Sequence, residues 1–122
     1  MTSLLRTLSV FSMGALCALG PAPLMAGEEH WRSAEGAALR DLFAGKEFAD
    51  GVHFAYRFNS DGTFTGTEMA KEVSGSWRVR RNEFCWRWER PPGPHECYRV
   101  EQDGSYLRLL INGAEAWYGT LR

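Results

Sequence analysis

The chain has no excess of positive charge, no apolar run of the length that spans a membrane, no internal repeat and no recognisable catalytic, cofactor or nucleic-acid motif. Each absence excludes something. With 14 basic against 15 acidic residues the formal net charge is −1, whereas a dedicated nucleic-acid binder shows a strong basic excess. A comfortable membrane helix needs about 20 consecutive apolar residues, and none is present. Cysteine is scarce, three in 122 residues, and no two stand in the close spacing of a metal pair or in the C-x-x-C of a redox helix. His30, His53 and His95 are too dispersed to suggest a ligand set, so neither a metal nor a cofactor is expected.

What is present first is a leader. Arg6 is the only charge before Glu28, residues 8–19 are apolar, and Gly20-Pro21-Ala22-Pro23 precedes a small-residue site ending at Ala26. That order is the charged, apolar and cleavable plan of a secretory signal peptide, so residues 1–26 are expected to be removed by a cut after Ala26. Pro21 and Pro23 would break the helix of a permanent anchor. Cys17 is a less suitable lipoprotein site, because Gly14-Ala15-Leu16 reverses the large and small positions that such processing favours. The expected location is therefore periplasmic or secreted, with no membrane span after cleavage.

Residues 27–122 are enough for one domain with a modest core. Cys85 and Cys97 are an even pair in a chain sent to an oxidising compartment, which makes a disulfide the default reading. One helix is expected over residues 34–44, capped by Ser33 and ended by Gly45 in a left-handed conformation, with Leu39, Leu42 and Phe43 as its apolar stripe.

Beyond Gly45 the pattern alternates between apolar and polar residues, punctuated by turns. Val52, Phe54, Tyr56 and Phe58 share one face, and Asn59-Ser60-Asp61-Gly62 suits a type I turn with a left-handed glycine that sets Phe58 opposite Phe64. A two-residue turn at Arg81-Asn82 pairs Val79 with Phe84, Trp77 with Trp86 and Gly75 with Trp88. Symmetry about Pro91-Pro92-Gly93-Pro94 sets Cys85 against Cys97 and Phe84 against Tyr98. A turn at Asp103-Gly104 sets Val100 against Leu107 and Tyr98 against Leu109. Asn112-Gly113 gives a last hairpin in which Trp117 and Tyr118 compete for the inside. The expected fold is mainly β: one N-terminal helix, then an antiparallel meander of about seven or eight strands curled into a small barrel or half-barrel.

Asn59-Ser60-Asp61-Gly62, then Gly75-Ser76-Trp77, then Phe84-Cys85 and Cys97 with Asp103-Gly104 behind them, resembles small exported proteobacterial proteins of unknown function with a lipocalin-like meander. The resemblance implies a fold and a compartment, and no ligand.

Three functional readings follow. The first is a non-enzymatic exported binding protein whose aromatic side, chiefly Trp77, Trp86, Trp88, Tyr56 and Tyr98, lines a pocket for a small apolar ligand; the same residues read more plainly as core. The second is an interaction protein that recognises anionic envelope components through a cross-strand row of Arg80, Arg99 and Arg108, with Glu83, Arg78 and Arg87 nearby and Trp117 under Arg108. The plainer reading there is a solvated face. The last, a small hydrolase-type enzyme, would need His53, His95 with Glu96, or Asp61 to find a partner, and the sequence places none, so the chain is read as no enzyme.

Overall fold

The computed structural model describes Gly14 and residues 30–122; the expected cut after Ala26, and Cys17, lie outside the described residues. The elements are β1 (Arg32–Ser33), α1 (Gly36–Phe43), β2 (Glu47–Ala49), β3 (Phe54–Phe58), β4 (Thr63–Glu68), β5 (Lys71–Arg80), β6 (Glu83–Trp88), β7 (Glu96–Asp103), β8 (Tyr106–Ile111) and β9 (Ala114–Leu121). From β2 to β9 each strand pairs antiparallel with the next, and β9 returns to β2 by setting Leu121 against Phe48. The meander is thus a closed eight-stranded barrel, which leaves no long edge unpaired. The extra strand, β1, pairs Arg32 and Ser33 with Gln102 and Glu101, on the part of β7 that runs past its pairing with β6.

Alternation decides which side chains go inside. Phe54, Tyr56 and Phe58 on β3, Phe64 on β4, Trp77 on β5, Phe84 and Trp86 on β6, Tyr98 and Val100 on β7, and Leu107 and Leu109 on β8 form one buried core. So many rings fit inside a small barrel because glycines let the strands bend hard. A Cβ at Gly66 would collide with the Ala55 carbonyl, and one at Gly75 with the Arg87 carbonyl and the Phe64 ring.

Most hairpins have the expected register. Phe58 faces Phe64, with Gly62 at φ +91°. Val79 faces Phe84, Trp77 faces Trp86 and Gly75 faces Trp88; Arg81 and Asn82 both take left-handed angles, as a type I′ turn requires. Cys85 and Cys97 face each other with Cα atoms 4.1 Å apart and are joined by a disulfide.

Two strand details differ from expectation and a third settles a register the sequence left open, each for a local reason. Val52 lies outside the strand, in a bend, because Asp50 Oδ1 accepts from the amides of Val52, His53 and Phe54 and turns the chain before β3 begins. The β7–β8 turn is Gly104-Ser105 rather than Asp103-Gly104, so Val100 faces Leu109 and Gln102 faces Leu107. Gly104, at φ +59°, occupies the first central position, the place glycine takes in a type II′ turn. In the last hairpin an irregularity leaves Ala116 without an opposite residue: Leu109 faces Trp117 while Leu110 faces Glu115. This one-residue slip turns Trp117 inward and Tyr118 outward.

The helix starts at Gly36, preceded by Glu35 without a side-chain cap; Ser33 belongs to β1 instead. Its first amide is accepted by Asn82 Oδ1 at 3.0 Å, from the β5–β6 turn. Gly45, at φ +76°, follows its end, and its amide donates to the Phe58 carbonyl. Leu39 and Phe43 enter the core, where the Phe43 ring stacks 4.1 Å from Phe84 and meets Phe58 and Trp77. The helix therefore plugs the barrel end that carries the 59–62 and 81–82 turns.

Candidate functional site

Four of the five aromatic residues expected to form a pocket do come together, but around a filled centre. Trp86 is wholly buried, and its ring lies between 5.1 and 5.9 Å from those of Tyr56, Phe64, Phe84, Trp88, Tyr98 and Trp117. Trp77 belongs to the other end, beside α1. Its indole N–H donates to the Asn59 carbonyl at 2.9 Å, and the Arg40 guanidinium sits 5.1 Å over its ring while donating to the Ser60 carbonyl. Trp77 thus ties a turn to a helix. Trp117 is the inner aromatic residue that alternation alone did not place, because only the Ala116 bulge decides its side.

Polar groups are few inside. Tyr98 Oη donates to Glu96 Oε2 at 2.8 Å and accepts from Trp117 Nε1 at 3.4 Å. Tyr56 Oη and Trp86 Nε1 are buried with no hydrogen-bond partner among the described residues. Burial, reinforced by the negative charge of Glu68, holds the Tyr56 phenol well above its ordinary pKa. Burial likewise raises that of Tyr98.

The outer side of β5, β6 and β7 is different. Residues alternating with the core residues place Arg78 and Arg80 on β5, Arg87 on β6 and Arg99 on β7, all exposed, around the disulfide; Arg78 sits directly across from Cys85. None of the four forms an ion pair among the described residues, and Glu83, opposite Arg80, is the acid within the set. His95 lies near Arg78 and Arg87. Desolvation first, and then those two positive charges, push its pKa below the ordinary histidine value.

Arg108 does not continue this row. The two-residue shift of β8 sets it opposite Glu101, to which it is ion-paired at 3.0 Å, and Arg99 instead faces Leu110. The aromatic partner of Arg108 is Trp31, whose ring lies 4.3 Å from the guanidinium, whereas Trp117 is inside the barrel. The row expected from Arg80, Arg99 and Arg108 is replaced by a cluster of Arg78, Arg80, Arg87 and Arg99.

Of the candidate catalytic groups, His53 has a partner: its Nδ1 donates to Asp50 Oδ2 at 2.7 Å. Desolvation raises the Asp50 carboxyl, but the amides of Phe54, Val52 and His53 and the imidazole outweigh it and hold the group well below the usual carboxylate range. The His53 side chain is 63% exposed and, among the described residues, no hydroxyl or thiol is hydrogen-bonded to it. The pair therefore reads as a loop cap. Asp61 accepts from the Thr63 hydroxyl and amide within its turn, which lowers its pKa. Among the described residues no three His, Cys, Asp or Glu side chains gather as a metal site, and no helix is long and apolar enough to cross a membrane. The chain matches no protein-family model, no curated protein and no solved structure.

Proposed function

We propose that the chain is an exported, non-enzymatic recognition domain that binds anionic groups through the arginine face of β5, β6 and β7. The observation that carries this reading is four exposed guanidinium groups, Arg78, Arg80, Arg87 and Arg99, on three adjacent strands without an ion-paired carboxylate among the described residues. Arginine forks match carboxylate and phosphate oxygens two at a time. Strands lie about 4.8 Å apart, and outward positions two residues apart on one strand are separated by about 6.8 Å, so the cluster presents several donors at the spacing of neighbouring anionic groups.

Support also comes from rigidity. The Cys85–Cys97 bridge fixes β6 to β7 in the middle of the cluster, which lowers the ordering cost of binding. A disulfide of this kind persists in an oxidising compartment, in keeping with the leader expected over residues 1–26. The filled barrel interior, in turn, favours a ligand held outside over an apolar one carried within.

A cation-exchange column tests the reading directly. Although the chain is net negative, the leaderless protein is expected to be retained on phosphocellulose at low salt and released as the Debye length shrinks toward about 8 Å near 0.15 M. Retention should vanish when Arg78, Arg87 and Arg99 are together replaced by Gln. Flow-through of the wild type, or unchanged retention of the triple variant, would remove the proposal.

A further inference from the structure

Two adjoining depressions lie beside the arginine face, on the outer side of β4 and β5 and under the loop that follows β6. They have volumes of about 690 and 410 Å³ and share Glu89. Their floor is a ladder of short hydroxyl side chains: Thr63 faces Ser76 across the strands and Thr65 faces Ser74. Glu89 is held in place, since its carboxylate accepts from Ser74 Oγ at 2.5 Å and its amide donates to the Ser74 carbonyl at 3.0 Å. Exposed Pro92 lines the second depression, as does half-buried Trp88, whose ring packs inward against Tyr56, Phe64 and Trp86. Arg87 lines it too, and so belongs to both the groove and the arginine face.

Resting on the anion-recognition reading, we infer that the anionic group is carried by a saccharide whose sugar rings lie in this groove. Sugars present adjacent hydroxyls that need planar, two-pronged partners together with short donors and acceptors, and ring C–H faces that need an apolar surface. Glu89 and Arg90 supply the first, the Thr and Ser ladder the second, and Pro92 the third. The charge balance separates this ligand from a bare polyanion. Glu72 and Glu89 offset Arg87 and Arg90 along the groove, so a polyphosphate laid there would meet two carboxylates, whereas a neutral sugar body would not. The anionic substituent would then reach Arg78 and Arg87. The open, elongated shape suits a stretch of polymer approached from its side.

The test titrates isotope-labelled leaderless protein, followed by amide and indole NMR shifts, with hexagalacturonate, a hyaluronate hexasaccharide, maltohexaose and linear polyphosphate of matched charge. Two variants accompany it: Thr65→Ala with Ser76→Ala, which alters exposed outward positions and leaves the core intact, and the triple arginine-to-glutamine variant. The better acidic saccharide should bind about tenfold more tightly than maltohexaose or polyphosphate and shift the Trp88 indole. The hydroxyl variant should weaken it about three- to tenfold, the loss expected of one or two hydrogen bonds, without changing polyphosphate binding. Polyphosphate binding as tightly as the acidic saccharides, or indifference of the latter to the hydroxyl variant, would overturn the saccharide inference and leave the arginine reading standing. Failure of every anion to bind the wild type at low salt would overturn both. Maltohexaose binding equally well and insensitively to the arginine variant would overturn the coupling of sugar to charge.

Discussion

The interior of the barrel and the outer side of β5, β6 and β7 are made from alternate residues of the same strands, yet they treat their side chains in opposite ways. Inside, the rings cover one another, and Trp86 meets rings from β3, β4, β7 and β9. Outside, Arg78, Arg80, Arg87 and Arg99 carry charges that nothing in the described chain neutralises by an ion pair. Arg108, on the same barrel, shows what a structural arginine looks like: paired with Glu101 and laid over Trp31. Inward positions therefore hold the fold, and the unsatisfied outward ones are the place to look for recognition.

If that division is right, Trp86→Ala should be the most damaging single change. It removes the ring at the centre of the aromatic packing and leaves a cavity that neighbours on a closed barrel cannot collapse to fill, at a cost of about 3–5 kcal/mol. For a domain of this size that is a large share of total stability, readable as a shift in the urea midpoint. An unchanged midpoint would mean that the interior is looser than its ring contacts imply.

Next comes the disulfide, which sits on the outer side yet acts on the fold. Replacing Cys85 and Cys97 by Ser frees a loop of about a dozen residues and should cost about 3 kcal/mol, by loop-closure entropy. Intact mass with and without reductant should differ by two hydrogens in the wild type. A smaller effect is expected from Tyr56→Phe. The Tyr56 hydroxyl is buried without a hydrogen-bond partner, so its removal relieves a desolvation cost and should leave stability unchanged or raise it by up to about 1 kcal/mol. A clear loss of stability would show that the interior uses this hydroxyl, and so would blur the contrast with the outer face.

How much of this was legible in the sequence depends on whether a mistake would change the face. Pairings such as Trp77 with Trp86, Val79 with Phe84 and Cys85 with Cys97 were readable because a one-residue error would expose three rings. The β7–β8 turn was not. Moving it from Asp103-Gly104 to Gly104-Ser105 shifts the partner strand by two, which keeps Val100, Leu107 and Leu109 inside, so burial does not distinguish the registers. That same silent shift carried Arg108 out of the expected row and into a pair with Glu101. The Ala116 bulge and the capping of α1 by Asn82 both depend on chain brought from elsewhere, across a hairpin or 46 positions away. The groove under the 89–94 loop was invisible for another reason: threonines and serines on an outer face look like ordinary solvent-facing strand residues until a loop is folded over them.

The finest test of the outer face is its response to pH, and it turns on His95. Burial and the charges of Arg78 and Arg87 lower its pKa from the ordinary value, so at neutral pH it is uncharged and the cluster is purely guanidinium. Glu96, the next residue, sits opposite Trp86 and accepts from Tyr98, on the other side of the strand. As the pH falls through the depressed value His95 gains a proton and adds a positive charge beside Arg87. Anion affinity should then rise about two- to threefold, for one added charge screened by solvent. Stability should move the other way. A histidine with a lowered folded pKa binds fewer protons than the unfolded chain, so its contribution is complete above the unfolded pKa and declines as the pH drops through the folded one. Retention on phosphocellulose and urea midpoints measured across that window should diverge in the wild type and run parallel in His95→Gln. If acidification weakens anion binding in the wild type, His95 does not belong to the binding face, and the boundary of the cluster moves back to the four arginines.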